Sequence, residues 1–123
     1  MSGWPELGLA AGQLPAFVEV KDKTVKWEKL DSRLVRALVV LGHVHSFLFD
    51  KTLIITSAND GVHAPTSKHH RNLAVDVRSR DKSTSENVVF AAILAQQSIR
   101  LRVSFFLEKV GTENEHWHLE VQG

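Results

Sequence analysis

The tightest constraint on the fold lies near the carboxy terminus. Two stretches of strand character, Val103–Glu108 and His116–Val121, are joined by a link built around Gly111-Thr112-Glu113-Asn114. A link this short permits only an antiparallel hairpin, because parallel neighbours need a crossover of about a dozen residues or more. Upstream, Thr52–Ser57 is a β-branched run ended by the turn signal Asn59-Asp60-Gly61. Asn72–Arg78 then alternates, with Leu73, Val75 and Val77 on one face and Asn72, Ala74 and Asp76 on the other. Both read as strands. Leu34, Val35, Leu38, Val39 and Leu41 recur at helical spacing toward Phe47, behind the candidate caps Asp31 and Ser32. Ser83 and Glu86 form a capping box ahead of Val88, Val89, Ala92, Ile93 and Ala95, which predicts a second helix over about Thr84–Gln97. The order helix, strand, strand, helix, strand, strand predicts one α+β domain over 1–123 with two main helices and a small, mostly antiparallel sheet. Residues 1–30 hold one short strand-like stretch, Phe17–Val20, and read as an irregular lead-in packed by Trp4 and Trp27.

Composition decides which chemistry such a domain can carry. The chain has no cysteine, which excludes disulfides, Cys-ligated zinc and iron–sulfur clusters, so a transition metal must be held by His, Asp or Glu. Fifteen Lys and Arg against fourteen Asp and Glu give a formal charge of +1, too balanced to argue for a nucleic-acid or membrane-surface partner. Met1–Gly12 lacks a basic segment followed by an apolar one, and no apolar run approaches the roughly 18 residues of a membrane span. The expectation is a chain without a standard signal peptide or membrane insertion.

Seven His against no Tyr is lopsided, and five of the seven stand at 63, 69, 70, 116 and 118. In His116–Val121 the period of two sets His116, His118 and Glu120 on one face and Trp117, Leu119 and Val121 on the other. The apolar face belongs to the core, so His118 looks the other way, as Asp76 does from its own strand. His69 stands at a loop-to-strand entrance from which it can close over the same spot. A hydrolytic zinc site needs about three N or O ligands, an open position for water and a nearby carboxylate. His43 and His45 lie in the apolar first helix and receive no role.

The spacing Ser67-x-His69-x-x-x-x-Ala74-x-Asp76, followed by Glu115-x-Trp117-His118, resembles the zinc peptidases of the M15 type. That group comprises D-alanyl-D-alanine carboxypeptidases and dipeptidases and phage L-alanyl-D-glutamate endopeptidases, and the hedgehog signalling domain shares the fold. The resemblance spans roughly 52–121. It implies that His69, Asp76 and His118 ligate Zn2+ and that Glu115 acts as general base, with Glu113 its competitor across the turn. It implies a phage lysin-like endopeptidase acting on peptidoglycan peptides as a monomer, made in the host cytoplasm and released at lysis, or carried on the virion. Ser67, His63, Arg71 and His116 are the candidates for substrate contact. His70 and His116 adjoin ligands and either stabilise an oxyanion or face solvent, while Glu120 is positioned to orient a ligand from behind. Two departures stand out. Asn72 replaces the family's Gly, and the family's Arg after the Thr-Ser strand end is absent from Ala58-Asn59-Asp60-Gly61, where Arg71 and Lys68 are the alternative cations. The rival expectation is a zinc-binding structural module of the same fold without turnover.

Overall fold

The computed structural model describes residues 3–60 and 68–122. Five strands, β1 (Val18–Val20), β2 (Leu53–Ser57), β3 (Ala74–Arg78), β4 (Val103–Glu108) and β5 (His116–Val121), form one sheet in the order β1-β2-β3-β5-β4. Two helices, α1 (Ser32–Phe49) and α2 (Thr84–Leu101), complete an α+β domain. The sheet is mixed: β1 runs parallel to β2, and the other pairings are antiparallel. The parallel pair is reached through α1, the kind of long crossover that parallel neighbours require.

Each helix begins where its caps dictate. The Asp31 side chain accepts from the Arg33 backbone N–H, and at α2 Ser83 and Glu86 exchange both capping-box hydrogen bonds. The helices lie on one face of the sheet, where Leu34, Leu38, Leu41, Phe90 and Leu94 pack against Leu53, Ile55, Val75, Val77, Trp117 and Leu119. α1 is 18 residues long with only Arg33 and Arg36 charged, so the expectation that no apolar segment reaches spanning length was too strict. Its face with Leu34, Val35, Leu38, Leu41 and His45 is buried in the core. The lead-in is anchored as well: the Trp4 indole N–H donates to the Leu30 carbonyl at 2.9 Å and the Trp4 and Trp27 rings lie 6.0 Å apart.

The opposite face of the sheet carries the polar residues. Register places Asp76 beside His118 and Arg78 beside His116 across β3–β5, and Phe106 beside His118 and Glu108 beside His116 across β4–β5. Between Ile55 and Ser57 the β2–β3 register slips, a bulge at the strand end nearest Asp76. A 3-10 turn, Lys68–Arg71, leads into β3 on this side. It ends at Asn72, whose φ of 61° is left-handed, the backbone that Gly most readily adopts.

Candidate metal centre

Three buried side chains from separate segments converge on the polar face: His69 from the 3-10 turn, Asp76 from β3 and His118 from β5. His118 Nδ1 lies 2.9 Å from Asp76 Oδ1 and 3.2 Å from His69 Nε2, and His69 Nε2 lies 3.3 Å from Asp76 Oδ1. A tetrahedral zinc site with bonds of about 2.0–2.1 Å has ligand-to-ligand edges of about 3.3 Å. The three donors thus already have the separations of one face of such a tetrahedron, and the group can hold a metal ion.

The far sides of both imidazoles are fixed. His69 Nδ1 donates to the Ala58 carbonyl at 2.8 Å, just past the bulge, and His118 Nε2 donates to Glu120 Oε1 at 2.9 Å. Those bonds select the tautomers whose remaining nitrogens face Asp76, the arrangement by which ligating histidines are oriented from behind. Glu120 thus stands behind His118 on the strand face they share. Lys68 holds Glu120 in turn, at 3.4 Å, and donates to the Val121 carbonyl, so it is tied to β5.

Three acceptor atoms pointing at one another need a positive centre between them. Without a metal, a proton fills that role: burial opposes charge on His118, but Asp76 and Glu120 outweigh it and raise its pKa to about 9. Burial likewise disfavours the Asp76 carboxylate, yet the adjoining His118 and His69 imidazoles hold it well below the ordinary carboxylate range. Metal binding displaces the proton, because an imidazole ligates only through its lone pair.

Beside this cluster opens a cleft of about 410 Å³, lined among others by Thr56, Asp76, Arg78, Glu113, Glu115 and His116. Glu115 is held ionised by the Gly111 N–H at 3.0 Å and the Ser79 hydroxyl at 2.6 Å, which lower its pKa. Ser79 is fully buried and neither partner lines the cleft, so both oxygens of the carboxylate are engaged by the protein away from His69, Asp76 and His118. Glu113 lines the same cleft. Arg71 is exposed at the end of the 3-10 turn and does not line the cleft. Lys21, Arg78 and Arg80 supply the cleft's positive charge instead. Ser67 and His63 lie outside the described residues. Asp60 accepts from the Ala58 and Lys26 backbone N–H groups and so fastens the end of β2.

Two residues on this face were missed by the sequence reading. The Phe106 ring stacks on His118 with centroids 6.0 Å apart, and Glu108 Oε1 lies 2.9 Å from His116 Nε2. The signal was present, since Phe106 and Glu108 share a phase in β4 and the hairpin was expected. It required carrying the facing rule from β5 across to its partner strand. No known protein family and no curated protein matches this chain.

Proposed function

We propose that this protein is a zinc-dependent peptidase of the M15 type with a hedgehog-like fold, cleaving peptides of peptidoglycan. The observation that carries the reading is the preformed triangle of His69, Asp76 and His118 donors opening onto a cleft that also holds an ionised Glu115. Those three residues would hold zinc, and the ion when bound supplies Lewis acidity, acidifying water and polarising a peptide carbonyl. Glu115 accepts the proton of the attacking water and returns it to the departing amine. Ser79 and the Gly111 N–H hold that carboxylate in one orientation. Lys21, Arg78 and Arg80 suit a substrate bearing carboxylates, as peptidoglycan stem peptides do, and take the place of the missing family Arg. Phe106 gives the site an apolar wall beside His118.

The second reading is a metal-binding module without turnover, favoured by the engagement of both Glu115 oxygens by the protein itself. Purified protein loaded with zinc, incubated with peptidoglycan beside Glu115→Gln, decides between them. Release of new amino termini that falls about 10²- to 10⁴-fold in the variant, with zinc retained, is the expected result. Zinc bound by both proteins with no cleavage by either would establish the module instead.

A further inference from the structure

Asp76 presents each of its carboxylate oxygens to a different set of donors. Oδ1 faces His118 at 2.9 Å and His69 at 3.3 Å, while Oδ2 faces His116 Nε2 at 3.5 Å. Glu108 Oε1 stands 2.9 Å from that same His116 nitrogen and 3.9 Å from His118 Nδ1. Asp76, Glu108 and His116 thus form a second group of donor atoms close enough to share one ion, adjoining the first through a common carboxylate.

The His116 ring is also held from behind. Its Nδ1 lies 2.7 Å from the Asn114 carbonyl, which is an acceptor only, so the ring donates there. That bond turns Nε2 toward two carboxylate oxygens, Asp76 Oδ2 and Glu108 Oε1. His116 repeats the arrangement of His118 two residues earlier on the same strand face, with one ring nitrogen tied to a protein acceptor and the other facing Asp76.

We propose that the site is binuclear: Asp76 bridges two divalent cations, the first held with His69 and His118 and the second with His116 and Glu108. This rests on the metal reading of the first site. It assigns His116 a ligand's part in place of substrate contact. Carboxylate-bridged metal pairs about 3.5–4 Å apart stabilise both the attacking and the departing atoms of a hydrolytic displacement, so a second ion here belongs to hydrolysis of the same peptide substrate.

Native mass spectrometry of the whole chain after equilibration with zinc tests the assignment, with cobalt as a spectroscopic probe. The wild type is expected to bind two ions, Glu108→Ala and His116→Asn one, and Asp76→Ala none. The cobalt-loaded wild type should give the electron paramagnetic signature of a coupled pair, lost in Glu108→Ala. Glu108 is exposed at the end of β4, so this variant keeps the fold and settles the matter even where His116→Asn does not. One ion in both wild type and Glu108→Ala overturns the second site and leaves the first standing. Two ions in both places the second elsewhere and also overturns it. No ion in the wild type removes both sites together.

Discussion

His45 illustrates how much a single buried polar residue can fix. It is fully buried in α1, where sequence reasoning gave it no role; its Nδ1 donates to the Lys51 carbonyl at 2.7 Å and its Nε2 accepts from Lys82 Nζ at 3.0 Å. Lys82 is itself buried, lies over the Phe90 ring and donates to the Arg78 carbonyl at 2.6 Å, so the pair ties the segment after β3 to α1. Burial, reinforced by the positive charges of Lys82 and Lys51, lowers the His45 pKa from its ordinary 6.5 against the opposing effects of the Lys51 carbonyl and Asp81. A depressed histidine pKa means that the unfolded chain takes up a proton which the folded chain refuses. His45 therefore contributes stability above about pH 6.5 that is lost as pH falls, by up to about 1.4 kcal/mol per pH unit for one proton. Urea unfolding of wild type and His45→Asn at pH 7.0 and 5.5 isolates this contribution, because the other histidines are common to both. The variant should be less stable at pH 7 and lose less on acidification. Equal losses would show that His45 titrates alike in both states.

At the scale of elements, the crossover from β1 to β2 depends on one close approach. A Cβ on Gly42 in α1 would stand 2.7 Å from the Ala16 carbonyl oxygen and 2.7 Å from Val18 Cγ2, and a backbone oxygen cannot swing aside as a long side chain can. Helix propensity alone favours Ala over Gly by about 1 kcal/mol, so Gly42→Ala sets two effects against each other. Overpacking of this kind costs about 1–3 kcal/mol, and the clash should win. Thermal unfolding is expected at a temperature several degrees lower, whereas a rise would mean that α1 does not press on β1 as described. The same contact explains why β1 was only a strand-like stretch in the sequence. Val18–Val20 is three residues long, and its parallel partner is separated from it by the whole of α1. Nothing local encodes that pairing. The hairpin, by contrast, carries its own instructions in the alternation of β5 and the turn before it. Asp76 and His118 were legible for the same reason, since a period of two assigns faces without knowledge of the neighbour. His69 was placed only as a loop-to-strand entrance, because its approach depends on the left-handed turn at Asn72 and on the β2 bulge that brings the Ala58 carbonyl behind it. The cations of the cleft were out of reach, as Lys21, Arg78 and Arg80 are brought together by strand order alone.

The whole molecule separates its two tasks onto the two faces of one sheet. Val75, Val77, Trp117 and Leu119 face the helices and build the core, while Asp76 and His118, their neighbours in the chain, face the candidate metal centre. Core burial therefore does not require the ion. The metal-free chain should stay folded, with His118 protonated between Asp76 and Glu120. The three candidate ligands nevertheless come from segments that meet only in the folded state, so an ion that binds there stabilises the fold by mass action. At a free metal concentration about 100 times Kd the gain is about 2.7 kcal/mol, which for a domain of this size is a rise in Tm of roughly 10 °C. Circular dichroism melts with zinc, and after exhaustive chelation, should give cooperative transitions in both states separated by that interval. His118→Ala should melt at one temperature with or without zinc, because the remaining two ligands leave the ion weakly held. A chelated chain that is already unfolded at 25 °C would mean that the metal face supports the core, and an unshifted wild-type melt would mean that no ion binds the triangle of His69, Asp76 and His118.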